Sequence, residues 1–361
     1  MQIIHVVGAR PNFMKVTPVV NALAGNAEFS QTLVHTGQHY DANMSDVFFQ
    51  QLGLAKPDVS LAVGSGSHAQ QTAQIMMRFE QVVHGQRPDL VLVYGDVNST
   101  VAAALVCAKL GIPIGHVEAG LRSNDRTMPE EINRLLTDQI SDLLFTPSED
   151  GNENLRREGV PPEKIHLVGN VMIDSLVRLR PKAQRLWPDV QKALALHEFG
   201  LVTLHRPSNV DDSRALREIL STLNEAAKRL PLIFPMHPRT RERIKKEGLN
   251  RFVSNLQIVD PLGYLEFLAL QEHAVVVLTD SGGIQEETTF LRVPCITLRK
   301  NTERPVTTTI GSNVLVGQDM ELLIQELERA VQKDRQTGET PPLWDGKAAE
   351  RIAGCLRGMG S

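Results

Sequence analysis

Acids, cations and glycines in this chain collect just after short apolar runs. One such stretch reads Asp280-Ser281-Gly282-Gly283-Ile-Gln-Glu286-Glu287. The apolar run before it suits a buried parallel strand, and the residues after Gly283 have helical spacing. Two glycines permit a tight turn, so the new helix would aim unpaired N–H groups, its positive dipole end and the Ser281 hydroxyl at whatever lies above the sheet. That is a seat for a phosphate group. An ordinary strand-to-helix connection capped by Asp or Ser has the same composition.

A second group is acidic. Ile112-Pro-Ile-Gly-His116-Val117 reads as a strand and runs into Glu118-Ala-Gly120-Leu-Arg122, followed by Pro129-Glu130-Glu131-Ile-Asn133-Arg134. Pro129 and two acids open a helix by ordinary rules. Glu118 at a strand's carboxyl end, with a glycine two residues on, is poorly placed for a decorative charge. Gly95-Asp96-Val-Asn-Ser-Thr100 follows the strand 90–94; Asp96 there serves equally as a helix cap or as part of a sugar-binding floor. Arg10 and Lys15 could hold an anionic ligand at a helix start, and with His205, His237 and Arg304 at other strand ends the set points to an anionic, sugar-like ligand. Gln38 follows the strand 32–36 in the same way.

These residues need strands and helices in strict alternation. Strands are expected at 2–7, 32–36, 90–94, 112–117, 143–146, 165–168, 200–203, 232–235, 256–259, 275–279, 295–298 and 313–316. Helices fall between them, including 70–84, 101–110, 213–229, 320–333 and a last one over 347–356. This predicts an α/β fold of two doubly wound, Rossmann-like domains whose strand ends face a cleft. The expected domains are 1–169 and 170–345, with 346–361 packing back on the first and an Arg, Lys and Pro rich hinge over 178–188.

The chain has 361 residues, a hydrophobic fraction of 42%, a formal net charge of −4 and three distant cysteines. These values suit two cores, give no general attraction to nucleic acid or anionic membrane, and suggest neither a disulfide framework nor a zinc knuckle. The start lacks a signal-peptide pattern and no apolar run is long enough to span a membrane, so a soluble cytoplasmic protein is expected. The first turn has one glycine and no GxGxxG, so no nicotinamide cofactor is expected. No HxxxH or HExxH spacing marks a metal site, and Asp211-Asp212 reads as helix capping.

Taken as a set, Gly8-Ala-Arg10-Pro, Gly37-Gln38-His39, Gly95-Asp96, His116-Val-Glu118-Ala-Gly-Leu-Arg122, Pro129-Glu130-Glu131-Ile-Asn-Arg134, Asp280-Ser-Gly-Gly-Ile-Gln-Glu-Glu287 and Thr302-Glu-Arg304-Pro resemble the non-hydrolysing UDP-N-acetylglucosamine 2-epimerases. The resemblance runs in order from Met1 to about Val331. It implies the GT-B-like architecture of nucleotide-sugar glycosyltransferases, a homodimer, and a role supplying surface polysaccharide synthesis. The implied reaction inverts C2 of UDP-GlcNAc to give UDP-ManNAc. The C2 hydrogen is not beside a carbonyl, so the reaction proceeds by loss of UDP from C1 as a base takes the C2 proton. UDP then adds back to the 2-acetamidoglucal.

By that resemblance Asp96, Glu118 and Glu130 are candidates for proton transfer. Arg10, Lys15 and His205 stabilise the diphosphate or leaving oxygen, and Ser281, Gly282 and Gly283 cradle phosphate. Glu287 accepts from the ribose hydroxyls and Phe267 lies near uracil. Members activated by their own substrate carry particular polar residues where this chain has Tyr40-Asp41 and Ser67-His68-Ala69, and a double Arg where it has Arg206-Pro207; weak or absent allosteric activation is expected. The opening motif and His35-Thr-Gly-Gln-His-Tyr-Asp41 also resemble the branch acting on UDP-2,3-diacetamido-glucuronic acid, for which Arg122 or Arg206 would supply the extra cation. A GT-B glycosyltransferase, a hydrolysing epimerase and a non-catalytic UDP-sugar sensor are the other classes with this architecture.

Overall fold

A computed structural model of the chain describes residues 1–37, 52–332 and 338–358. The chain divides into two compact units, one made of Met1–Ser175 with Pro342–Ser361 and the other of Leu176–Pro341.

The first unit alternates β1 (Gln2–Val7), α1 (Arg10–Leu23), β2 (Ser30–His35), β3 (Val59–Ser60), α2 (His68–Gln86), β4 (Leu90–Tyr94), α3 (Asn98–Leu110), β5 (Ile114–Val117), α4 (Pro129–Ile140), β6 (Leu143–Thr146), α5 (Glu149–Arg157) and β7 (Ile165–Leu167). Its sheet runs in the order β3-β2-β1-β4-β5-β6-β7, with every pairing parallel. Parallel strands covered on both faces must be apolar throughout, and Leu90–Tyr94 is buried along its whole length. Ile4, Val6, Val91 and Val93 pack there with Ile75, Phe79 and the small residues Ala102, Ala103 and Ala104. The strand order reverses between β1 and β4, and the loops at their carboxyl ends are where such sheets take ligands.

The helix α2 begins at His68, two residues before the start expected from sequence. Ser67 Oγ accepts from the Gln70 amide at 3.2 Å while Gln70 Oε1 accepts from the Ser67 amide at 3.3 Å, a reciprocal capping box that nucleates the turn.

The second unit holds β8 (Gly200–Thr203), α7 (Ser213–Ala226), β9 (Leu232–Pro235), α8 (Pro238–Lys246), β10 (Gln257–Val259), α9 (Tyr264–His273), β11 (Val276–Thr279), α10 (Gly282–Leu291), β12 (Cys295–Thr297), β13 (Asn313–Leu315) and α11 (Met320–Val331). Its parallel sheet runs β10-β9-β8-β11-β12-β13, reversing between β8 and β11. Val202, Leu278 and Ile296 pack under Leu216, Leu220 and Leu323 from α7 and α11. Two doubly wound Rossmann-like sheets are thus the architecture read from the alternation.

The stretch 178–188, expected as a hinge, is helical: Val171–Ala193 is one helix, with Pro181 and Pro188 inside it. Each proline removes one helical hydrogen bond. Leu176, Leu179 and Ala183 compensate by burying one face at helical spacing. Trp187 stacks on His273 with ring centroids 3.9 Å apart.

The helix Ala348–Gly358 belongs to the first unit. Asp174 caps it, accepting from the amides of Ala348 and Ala349 at 3.1 and 2.7 Å. Trp344, buried just before it, donates its indole N–H to the Pro147 carbonyl at 2.9 Å.

Candidate active site

The floor of the first unit's site is built by the turn after β1. Asn12 Oδ1 accepts from the Gly8 and Ala9 amides at 3.1 and 3.0 Å, and its Nδ2 donates to the Tyr94 carbonyl at 2.8 Å, stitching the ends of β1 and β4 together. Gly8 is required here, since a Cβ would lie 1.9 Å from Ser99 Oγ. Arg10, expected at the ligand, is the first residue of α1.

One turn along α1, Lys15 is buried and its ammonium donates to Glu118 Oε2. Lys15 is therefore Glu118's counter-ion rather than a cation presented to solvent. A positive charge in contact favours the ionised form of a carboxylate. Glu118 sits in the left-handed region, with φ +74°, a conformation that costs a non-glycine residue about 1–3 kcal/mol and that recurs at functional sites. Its amide and that of Ala119 both donate to the Phe145 carbonyl at 3.1 Å, fixing the turn.

Asp96 is partly exposed at the end of β4, with Oδ2 on the Arg134 guanidinium and its carbonyl accepting from Asn133 Nδ2 at 2.9 Å. Glu130 is exposed on the first turn of α4. Asp96 and Glu130 share a cavity of about 250 Å³ with Ser65, Gly66, His68 and Asn133. The neighbouring Glu131 is turned inward. It accepts from the amides of Ser123 and Asn124 at 3.0 and 2.8 Å and from Arg134 NH2 at 2.7 Å. Burial opposes its charge, but these donors outweigh it and hold the carboxyl below its ordinary range. Glu131 and Arg134 thus form a rigid support under Asp96.

Arg122, expected at the substrate, instead ties the scaffold together. Its Nε and NH2 donate to Glu158 at 2.8 and 2.6 Å, and NH1 lies on the Leu121 carbonyl and on Asp138, both at 2.7 Å. Burial disfavours its charge, yet Glu158 and Asp138 raise its pKa further above the ordinary value. The reason is the fold: α4 and α5 bring two acids to a buried guanidinium that sequence places at a loop. Gln38 lies outside the described residues.

In the second unit the centre is Asp280, fully buried at the end of β11. Its carboxylate accepts from the amides of His205 and Arg206 at 3.1 and 2.9 Å, from Asn209 Nδ2 at 3.1 Å, and from His205 Nδ1 at 2.8 Å. Burial would raise its pKa, but His205, the Arg206 amide and Asn209 together lower it. Nδ1 of His205 is thereby committed, and the ring is otherwise exposed.

Beside it, Ser281 precedes α10 without using its hydroxyl as a cap, and its amide donates to Thr279 Oγ1 at 3.0 Å. Gly282 and Gly283 open the helix, partly exposed. Arg304 is packed over them, since a Cβ on Gly282 would lie 2.5 Å from Arg304 NH1. That guanidinium is held by Glu286 at 2.8 Å and Glu303 at 2.9 Å. Glu303 also pairs with Arg299 at 2.6 Å and Arg206 at 3.6 Å. Burial opposes its ionisation, but Arg304, Arg299 and Arg206 hold its carboxyl far below the ordinary range. Three guanidiniums thus stand with Glu286, Glu303 and Asp280 beside a helix N-terminus, whose unpaired amides and positive dipole end suit an anion.

Glu287, one turn into α10, is buried, and its Oε1 accepts from the Tyr264 hydroxyl at 2.9 Å. Burial pushes its pKa up to about 7; hydrogen bonds from Tyr264 and Gln271 work against that, and Glu286 adds to it. Phe267, half-buried on α9, packs against the core of Leu201, Ile233 and Leu270. His237 caps α8 by accepting from the Arg239 amide at 3.3 Å, an exposed position at the end of β9. Tyr264, Asp280 and Glu303 escaped the sequence reading as site residues, although Asp280 and Glu303 stand inside the motifs quoted for it.

Two doubly wound parallel sheets, one with acids and the other with a glycine-opened helix N-terminus at strand ends, place this chain in the class of two-unit Rossmann-like α/β proteins. A family model described as UDP-N-acetylglucosamine 2-epimerase matches residues 21–357. The chain is 42% identical over 361 residues to a UDP-N-acetylglucosamine 2-epimerase of Methanococcus maripaludis, covering 98% of this chain and 97% of that one. It is 44% identical over 360 residues to the UDP-2,3-diacetamido-2,3-dideoxy-D-glucuronate 2-epimerase of Pseudomonas aeruginosa, covering 98% of each. A crystal structure of the Methanocaldococcus jannaschii UDP-GlcNAc 2-epimerase, in complex with UDP-GlcNAc and UDP, superposes with a TM-score of 0.89 at 41% identity and 99% coverage of both chains. The chain belongs to the UDP-N-acetylglucosamine 2-epimerase family and has its GT-B-like α/β fold.

Proposed function

We propose that this chain catalyses the non-hydrolysing epimerisation of UDP-GlcNAc to UDP-ManNAc. The observation that carries the reading is Glu118, a buried carboxylate in a left-handed turn, paired with Lys15. A carboxylate takes the C2 proton while the C1–O bond breaks with its electron pair leaving on the diphosphate. The product is 2-acetamidoglucal. UDP then adds back to C1 and a proton is delivered to the opposite face of C2. Asp96, Glu118 and Glu130 are the groups assigned to proton transfer.

The diphosphate is already doubly negative in the UDP-sugar and gains one further negative charge as the C1–O bond breaks. Gly282 and Gly283 amides, the Ser281 hydroxyl and the Arg304 guanidinium at the start of α10 stabilise it. His205, oriented by Asp280, serves the leaving oxygen with Nε2, and Arg10 adds charge. Glu287 takes the ribose hydroxyls and Phe267 faces uracil. The enzyme works as a homodimer in the cytoplasm and needs no cofactor, since elimination replaces redox chemistry. Incubation with UDP-GlcNAc in D₂O tests this: deuterium at C2 of intact UDP-sugar of both configurations is expected, and absence of exchange overturns it.

A second reading rests on the Pseudomonas aeruginosa relative, a 2-epimerase of the UDP-linked diacetamido uronate. That sugar adds a C5 carboxylate. Arg122 is held by Asp138 and Glu158 and almost fully buried, whereas Arg206, paired with Glu303, is the more exposed of the two and is the cation assigned to it. Rates on the two UDP-sugars side by side decide between them.

A further inference from the structure

Below the acidic cluster lies a chain of buried charges with no direct part in the proton transfers. His116 and Asp138 are completely inaccessible or nearly so, at 0% and 1% relative exposure. His116 Nδ1 lies 2.6 Å from Asp138 Oδ1, and Nε2 lies 2.8 Å from the Gly95 carbonyl oxygen. The second oxygen of Asp138 accepts from the Gly120 amide at 3.1 Å and meets Arg122 NH1 at 2.7 Å. Arg122 in turn holds Glu158.

The donors around this ring constrain its protons. A carbonyl oxygen carries no proton, so Nε2 must donate to Gly95. The Arg122 guanidinium and the Gly120 amide on Oδ2 favour an ionised Asp138, and an ionised carboxylate can only accept, so Nδ1 donates to Oδ1 as well. Burial opposes the charge of Asp138, but His116 and Arg122 lower its pKa, in keeping with an ionised carboxylate. The order Glu158, Arg122, Asp138, His116 then alternates in sign.

An ion pair buried this deeply contributes little net stability, and a neutral apolar pair of the same shape would serve the core as well. Its effect is on geometry. The carbonyl that His116 grips belongs to Gly95, whose own φ is +64°. A Cβ on Gly95 would lie 2.6 Å from Lys15 Nζ and 3.1 Å from Glu118 Oε2, so the turn rests directly on the Lys15–Glu118 pair. The next residue is Asp96. One imidazole thus meets the turn that carries one candidate acid and abuts the other.

We propose that His116 is a positioning residue: a doubly protonated ring that donates to Asp138 and to the Gly95 carbonyl and thereby sets Asp96 and Glu118 for proton transfer at C2. The inference rests on the epimerase reading above for its catalytic half and on geometry alone for the charge state.

The test has two arms. The first is the ring state of the wild-type protein, read by ¹⁵N NMR of histidine-labelled enzyme. One ring with both nitrogens protonated under the assay conditions, absent from His116→Gln, is expected; a neutral His116 ring under those conditions overturns the inference. The second arm compares His116→Asn and His116→Gln. Gln can extend an amide donor toward Gly95, whereas Asn reaches only toward Asp138. Loss of kcat by about 10- to 100-fold in His116→Asn, with partial recovery in His116→Gln and UDP affinity within about twofold of wild type in both, is the expected pattern. Unchanged kcat, or kcat and UDP affinity falling in parallel, overturns it. If His116→Asn fails to fold, the ring-state arm and His116→Gln still decide. Wild-type enzyme that shows no C2 exchange sinks the epimerase reading, whereas wild-type exchange with a neutral ring sinks this inference alone.

Discussion

His205 Nδ1 lies 2.8 Å from Asp280 Oδ1, and the same carboxylate receives the His205 amide. Side chain and backbone of one residue are held by one buried acid, which fixes both the ring's tautomer and its direction. Asp280→Asn keeps the shape but removes the charge that selects Nδ1–H. We expect kcat to fall at least tenfold while the far-ultraviolet circular dichroism is unchanged. Asp280 also has a lowered folded pKa. Its contribution to stability is present above the unfolded carboxyl pKa and lost as pH falls through the lower folded one, so the stability gap between wild type and Asp280→Asn should narrow only in acid.

Removing the proposed proton-transfer groups should act on turnover rather than on nucleotide binding. A positioned acid or base contributes roughly 10²–10⁴-fold, so Asp96→Asn, Glu118→Gln and Glu130→Gln should each lose activity on that scale. Calorimetric titration with UDP should give affinities within about twofold of wild type. More than a tenth of wild-type turnover in any one removes that residue from the set.

Glu287 gives a pH dependence of defined sign. Its carboxyl is raised to about 7, so it gains charge between about pH 6 and 8. As an acceptor from ribose it should bind better ionised, and UDP affinity should rise across that window. Stability runs the other way: an acid with a raised folded pKa stabilises below its unfolded pKa and loses that contribution as pH rises toward the folded one. Glu287→Gln should therefore flatten the affinity profile and gain thermal stability relative to wild type at pH 8 compared with pH 5. A UDP affinity independent of pH in wild type would remove Glu287 from the ribose site.

Asp174 offers a measurement of the scaffold. It caps the helix Ala348–Gly358, and losing a cap of this kind costs about 0.5–2 kcal/mol. Asp174→Ala should lower the urea midpoint of the transition followed by fluorescence of buried Trp344, while Asp174→Asn retains part of the loss. A midpoint unchanged in Asp174→Ala would show that the helix docks by its apolar face alone.

Allosteric activation should be weak or absent. Reverse-direction assays on pure UDP-ManNAc should start without a lag, and trace UDP-GlcNAc should not accelerate them. Tyr40 and Asp41, on which that expectation partly rests, lie outside the described residues.

Much of the fold was legible because a parallel strand buried on both faces must be apolar along its length, and runs such as Leu90–Tyr94 and Gly200–Thr203 announce themselves. The turn Asp280-Ser-Gly-Gly283 was legible as a strand-to-helix connection, and α10 does open at Gly282. What stayed hidden were pairings between distant positions. Arg122 meets Glu158 across 36 residues, and His205 meets Asp280 across 75. No local pattern encodes such a partner. Glu130 and Glu131 show the limit most sharply: adjacent and identical, one faces solvent while the other holds two loop amides, and only the rotation of α4 separates them. The proline-bearing stretch 178–188 misled for the opposite reason, since local helix-breaking signals were outweighed by a buried face.

The first unit is discontinuous in sequence, with the helix Ala348–Gly358 arriving after the entire second unit. During synthesis at about 5–20 residues per second, α1 and Asp174 emerge early, whereas the helix that Asp174 caps is made only after more than 170 further residues. For about ten to thirty seconds the nascent first unit keeps one flank open, with the Asp174 carboxylate facing water and Trp344's acceptor at Pro147 unclaimed. The second unit can close before the first is finished, so the part of the chain carrying the acids is the last to become whole.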